Sequence, residues 1–532
     1  MKKNSKRKWT LALLVLFTIS SILTGCATGD TVDGPSGESE ANGEKEKVLV
    51  IGYERDAEIL DHIKTGWYSD ALVYIYDRLV SRDYDFNYEP GLAESWDTSE
   101  DGMIWTFHLK EGVKFHNGTP LTADDVKWTL DTILDPDTAS PAQSDFAAIK
   151  AVEVVDDLTV NVILNTPFPN LLFVLSNTSA SIASQDAYEE YGDEYGIKYV
   201  IGTGAYMFEE WIQGDKIVLV KNPDYTWGPE WMSNTGPSAI DKIVLRTIPE
   251  ENSRLMELLS GNVHILRDVP ATFIDKVGDE PDVEIFRGES TKLGYLAYAT
   301  DKEPFTDLRV RQAINHAINK DEIITYVFRD VGIAADGYLP PALTSEYYAD
   351  SKKDGYEYNV EKAKELLKDA GFEDGLKLKL AAENSTEYSR LAEVLQNQLK
   401  DVGIEVEIQL YDSSSYTAML RTGEQELFLR LYSWPNADIL DWFLLSSQMP
   451  YPNHSRWNDP TTDELIKAAA SSPTWETRAD GYHEVQKHLI SQAVWAPIYV
   501  PERLIAVRKE VQNFKLHPWI TFYNDGIDLI VD

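Results

Sequence analysis

The sequence predicts an α/β protein assembled from more than one packed unit. Twice in succession between residues 300 and 500, an amphipathic helix runs into a glycine and then a strand, through Gly371 into Leu376–Leu380 and through Gly403 into Ile404–Ile408. Helices alternating with strands in this way layer on a sheet. Between residues 90 and 250, alternating segments such as Trp105–Leu109 and Thr159–Leu164 are separated by turn residues, which reads as antiparallel sheet. A chain of 532 residues also exceeds the roughly 250 to 300 that one hydrophobic core sustains.

At the N-terminus, Lys2, Lys3, Lys6, Arg7 and Lys8 precede an apolar run from Trp9 to Leu23, which closes on Leu23-Thr24-Gly25-Cys26. A basic flank, a short apolar stretch and small residues before a cut mark a secretory signal peptide over residues 1–25. The cut ending in cysteine resembles the lipobox of bacterial lipoproteins, which makes Cys26, the one cysteine of the chain, the expected lipidation site. Residues 26–47 follow as a lipid anchor and flexible tether, because Gly, Ser, Glu, Asp, Asn and Lys offer too little apolar surface to offset ordering entropy.

Order begins with the β-branched strand Val48–Tyr53. Thr122-Ala123-Asp124-Asp125 has the spacing of a capping box and opens a helix whose face carries Val126, Leu130, Ile133 and Leu134. A helix is expected from Leu308 to Lys320, where Val310, Ala313, Ile314, Ala317 and Ile318 recur at helical spacing. Another follows Asn359 and buries Ala363, Leu366, Leu367 and Ala370; the next carries Leu391, Val394, Leu395 and Leu399. A short helix is expected over Tyr74–Leu79.

Composition excludes several functions. The net charge is −39, and removal of the five positive charges of the leader takes it near −44. Nucleic acid is therefore not an expected partner, since its binding rests on Lys and Arg neutralising phosphates. No later stretch reaches the roughly 18 uncharged apolar residues of a spanning helix, so the lipid anchor is the expected link to the membrane. Enzyme signatures fail. His483 and His488 are five apart, about 140° around a helix, and cannot share a metal as two histidines four apart do. Asp83, Asp85, Asn87 and Glu94 sit at calcium-loop positions, but Tyr88 stands where the sharp turn wants glycine. There is no nucleophile elbow and no phosphate-binding loop. No cofactor, metal or catalytic residue is expected.

The run Ala93-Glu94-Ser95-Trp96 followed by Asp101-Gly102-Met103-Ile104-Trp105-Thr106-Phe107 and on to Thr122-Ala123-Asp124-Asp125-Val126 resembles a family signature. Gly202-Thr203-Gly204-Ala205-Tyr206, Leu259-Ser260-Gly261-Asn262-Val263, Pro304-Phe305-Thr306-Asp307-Leu308-Arg309-Val310-Arg311 and Ala496-Pro497-Ile498-Tyr499 follow in the same family's order. The chain is similar to the extracytoplasmic solute-binding proteins of family 5, the oligopeptide and dipeptide class that delivers ligands to ABC importers. One departure is Ala299, where the family usually has Asn. The resemblance implies an α/β, two-lobed periplasmic-binding-protein-like fold of class II, with an extra inserted subdomain in lobe one and two interlobe crossovers. Lobe one is then 48–76, 200–296 and 500–532, the inserted subdomain 77–199, and lobe two 297–499. The implied partners are a small solute and the permease subunits, for a monomeric, lipid-anchored receptor on the extracytoplasmic face of the membrane.

A cleft between lobes needs aromatic surface and a few charged groups. In the segment Leu429–Phe443, alternation places Arg430, Tyr432 and Trp434 on one side of a strand that Pro435 ends. The resemblance implies an Asp three residues after the Trp that pairs with a ligand ammonium; Asp438 is four after Trp434, an imperfect match, Asp441 is the other candidate, and either can instead cap the next helix. Arg430 is suited to a ligand carboxylate or to an acidic neighbour in the protein. Asn436 and Trp442 complete this side; on the other, Trp67 and Tyr68 either meet the ligand or pack beneath the following helix. A peptide is the expected ligand, with an oligosaccharide, an opine or a glutathione-like compound as alternatives. The contrasting reading is an extracellular hydrolase, for which no nucleophile or metal site is found.

Overall fold

The structure is a computed structural model, which describes residues 45–66, 68–343, 346–472, 474–518 and 523–531. The leader, Cys26, the tether up to residue 44 and Trp67 lie outside the described residues.

Two large sheets organise the chain. Strand Val48–Tyr53 forms where the β-branched run predicts it and sits at the centre of a seven-stranded sheet, parallel to Lys242–Thr247 with Val48 opposite Lys242. Its inward residues Leu49 and Ile51 are fully buried. The second sheet has six strands in the order Ile333–Ala334, Trp495–Val500, Lys292–Tyr298, Leu427–Ser433, Leu376–Glu383 and Ile404–Tyr411. Helix Thr386–Asp401 connects the last two strands, which run parallel with Leu376 opposite Ile404. Gly371 and Gly403 end the preceding helical segments at φ of +90° and +91°, backbone that glycine adopts without steric cost.

A four-stranded antiparallel sheet, Ala93–Thr98, Ile104–Leu109, Thr159–Leu164 and Ile149–Asp156, is built wholly from the stretch between residues 93 and 164. Helix Ala123–Leu134 packs on it, and its capping box forms as the sequence predicts, the Thr122 amide donating to Asp125 at 3.0 Å.

Three elements differ from expectation. The helix expected over residues 308–320 ends at Ala317, because Ile318 is extended and Asn319 caps a new helix, Lys320–Tyr326, by accepting from the Glu322 amide. The helix expected at Tyr74–Leu79 lies earlier, at Asp70–Ile75, since the Ser69 hydroxyl accepts from the Ala71 amide and fixes its start. Residues 292–296, expected in lobe one, are instead part of Lys292–Tyr298, an interior strand of the six-stranded sheet whose other strands come mostly from the stretch expected in lobe two. Ala299 follows that strand and donates its amide to the Glu426 carbonyl at 2.9 Å.

The chain passes between the two large sheets twice: from Gly288 to Lys292, and back from Val500 to Arg503. These passages run side by side, joined by a hydrogen bond from the Ser290 hydroxyl to the Pro501 carbonyl.

Candidate functional site

Beside these two passages lies a cavity of about 560 Å3. Ser290, Thr291 and Lys292 of the first passage line it, and Arg503 closes it where the second passage becomes a strand. The seven-stranded side contributes Ser69, Asp70, Arg267 and Asp268. The six-stranded side contributes Ser433, Trp434 and Pro435, where strand Leu427–Ser433 ends, and Trp442 from helix Ile439–Leu444. Asp145, Asn177 and Ser179, from the segment that includes the four-stranded sheet, form a further wall.

Trp434 is held by its own backbone, whose amide donates to the Thr291 carbonyl at 3.3 Å. Its ring lies 4.9 Å from that of Trp442 and 6.2 Å from that of Phe173, so the two indoles offer an aromatic wall to the cavity. Trp442 stays 37% exposed, which leaves apolar surface for a guest to cover. Tyr68 lines the cavity opposite, and burial, together with the nearby Asp145 charge, pushes its phenol up to about 12.

Charged groups gather on the passage side. Asp70 accepts from the Tyr53 hydroxyl at 2.8 Å and lies 3.4 Å from the Arg267 guanidinium. Asp268 takes Arg267 at 3.0 Å and Lys292 at 3.4 Å. Burial works to raise the Asp268 carboxyl, but Lys292, Arg267 and Arg503 outweigh it and hold it below the ordinary carboxylate range. Asp268 also sits at φ +52°, a left-handed conformation that Asp tolerates and that aims its side chain at this cluster.

Tyr68, Trp434 and Trp442, anticipated from sequence, thus share the cavity wall. Arg430, Tyr432, Asn436, Asp438 and Asp441 lie outside that lining. Arg430 is in mid-strand, in register with Tyr295 and close to Tyr388 and Tyr416. Tyr432 is buried and donates its hydroxyl to the Tyr338 carbonyl at 2.6 Å. Asn436 donates to Asn170 at 3.2 Å and to Asp438 at 3.0 Å. Asp438 accepts further bonds from Asn170, from Arg478 and, at 3.2 Å, from the Tyr482 hydroxyl. It stands at the helix N-terminus but makes no side-chain cap bond. Asp441 accepts from the Tyr482 hydroxyl at 2.7 Å; burial, reinforced by Asp438, raises its carboxyl well above the usual range. Sequence reasoning missed Asp145, Arg267, Asp268, Lys292 and Arg503. Each stands in a segment whose neighbours carry no motif, and only the tertiary fold brings them together.

Comparison with known proteins places this geometry. Residues 87–449, more than half of the chain, match the family described as bacterial extracellular solute-binding proteins, family 5 middle. The chain belongs to that family.

Family 5 relatives cover nearly the whole chain. Heme-binding protein A of Haemophilus influenzae is 28% identical over 560 residues, covering 97% of this chain and 99% of its own. Glutathione-binding protein GsiB of Salmonella paratyphi A is 28% identical over 465 residues, covering 85% and 88%. Among solved structures, the ABC transporter-associated periplasmic binding protein DppA of Helicobacter pylori, in complex with peptide STSA, superposes with a TM-score of 0.75. It is 28% identical and covers 91% of this chain and 98% of its own. The fold is therefore the two-lobed α/β fold of family 5, whose members bind solutes outside the cytoplasm for ABC importers and are not known as enzymes.

Proposed function

We propose that this chain is a peptide receptor of an ABC importer, anchored at the extracytoplasmic membrane face by acylated Cys26, that captures its ligand intact and presents it to the permease. The seven-stranded sheet and the segment carrying the four-stranded sheet form lobe one, and the six-stranded sheet forms lobe two. Closure bends the two passages at Glu289–Thr291 and Pro501–Glu502.

The observation that carries this reading is the cavity, because it opens where the chain changes sheets twice and is walled by both sides. A hinge motion of the lobes opens and closes such a space without disturbing either core. Its mixed lining of two indoles and several charges suits a short peptide better than a flat apolar ligand. Of the usual axial partners of a haem, only Tyr68 is among the described lining residues, and burial keeps its phenol protonated. The peptide bound by DppA supports the same class, and glutathione, itself a small peptide-like zwitterion, falls within it.

Native mass spectrometry of freshly purified protein, followed by an equimolar library of di- to pentapeptides, tests the reading. Retention of one intact peptide per monomer is the expected result, and hydrolysed products or no retention would overturn it. The anchor has its own test: Cys26→Ala is expected to release the protein to the medium, and continued membrane retention contradicts acylation there.

A further inference from the structure

Two walls of the cavity carry a charged group that makes no ion pair among the described residues. Asp145, from the short helix Gln143–Phe146, lines the cavity; its backbone amide donates to Ala142, but no donor among the described residues reaches its carboxylate. Burial, together with the like charge of Asp438, raises its carboxyl to about 6. On the passage side, Arg267 and Lys292 are taken by Asp70 and Asp268. Arg503, only 5% exposed, donates from Nη1 to the His517 carbonyl at 2.6 Å and has no carboxylate within ion-pair distance among the described residues. Asp268 and Asp70 act on its charge from beyond that distance, and Arg503 is part of the cavity wall.

Asp438, by contrast, is already occupied. Its oxygens take Arg478, Asn170, Asn436 and Tyr482, and Arg478 also holds Glu346 at 2.5 Å. A ligand ammonium reaching Asp438 would meet Oδ1 already taken by Arg478 and Tyr482 and Oδ2 already taken by the amides of Asn170 and Asn436.

From this we infer that the cavity seats a zwitterion with its cationic end on Asp145 and its anionic end on Arg503, and that Asp438 is a positioning residue joining the two sides. The inference rests on the peptide reading above and assigns the ends of that ligand. An ammonium at Asp145 and a carboxylate at Arg503 each supply the partner that a buried charge requires.

The test takes the tightest peptide from the di- to pentapeptide library and measures its affinity by calorimetry in three forms: free at both ends, N-acetylated and C-amidated. Wild-type protein is expected to lose at least about 10-fold on either block. Asp145→Asn should bind the free and acetylated forms equally while still rejecting the amide. Arg503→Gln should bind free acid and amide equally, and Arg503→Lys, the safer variant for folding, should regain part of the preference. Asp438→Asn should keep both preferences. If Asp145→Asn still discriminates against the acetylated form, or Asp438→Asn ceases to, the assignment is overturned. If wild-type protein binds the peptide but ignores both blocks, the inference alone fails; if no library member is retained, the peptide reading fails with it.

Discussion

Arg478 is the residue on which the interior of the six-stranded side turns. It is fully buried against Glu346 and Asp438, with the rings of Trp475 and Tyr482 at 5.2 and 4.6 Å from its guanidinium carbon. Glu346 and Asp438 thus share one guanidinium, with Asp441 within its field, and the three carboxyl groups cannot all stay ionised without cost. Glu346 shows it: burial and the Asp438 charge, opposed by Arg478, raise its carboxyl to about 7 from an ordinary 4.5. A carboxyl raised on folding contributes stability below its unfolded value and loses it as pH climbs through the folded one. Unfolding free energy should therefore fall by about 3 kcal/mol more in wild-type protein than in Glu346→Gln between pH 4.5 and pH 8, at about 1.4 kcal/mol per unit. Denaturant titrations of both proteins across that range check this; parallel curves contradict it.

Elements were legible in proportion to the length of their pattern. Val48–Tyr53 has the bounds that its β-branched run predicts, Thr159–Leu164 those that its alternation predicts, and the helix after Thr122 the start that its capping box predicts. Ile265–Leu266 and Ile333–Ala334 were not legible, because two residues show no period. Lys292–Tyr298 was cut by a lobe boundary set at residue 296; Leu293 to Tyr298 are all buried, and a strand covered on both faces shows no alternation to mark it. That strand holds its neighbour by a close approach at Gly294, where a Cβ would lie 2.0 Å from the Tyr499 ring, itself stacked 3.9 Å from Phe328. Gly294→Ala should therefore destabilise the protein by about 1–3 kcal/mol through overpacking, measured by denaturant unfolding, and an unchanged midpoint would contradict that packing. Of the site, the aromatic wall was legible, since Trp434 ends a strand before Pro435 and Trp442 follows on a helix. The charged walls were not, because Asp145, Arg267 and Arg503 come from separate elements and meet only once the sheets are placed.

At the scale of the whole molecule, the two sides touch at places other than the passages. Asn170, which precedes the helix Leu171–Ser176, bonds to Asn436 and Asp438 from the six-stranded side, and Tyr88 meets the Trp475 ring edge-on at 5.5 Å. On the closure proposed above, such contacts belong to the closed form and add to the affinity of any ligand by the fraction of molecules they hold closed. Asn170→Ala should weaken binding of free, acetylated and amidated peptide by the same factor, about 3- to 10-fold, the worth of roughly one hydrogen bond. Calorimetry showing unequal factors would make Asn170 a ligand contact instead, and no change would remove it from closure.

Where the solute sits, and in what state, decides between a receptor and any other role. A crystal structure of the protein with the ligand that co-purifies with it should show one unbroken peptide beside Ser290–Lys292 and Arg503, enclosed between the Trp434 wall and Asp145. A ligand bound elsewhere on the surface, or one found cleaved at the site, would contradict the receptor described above.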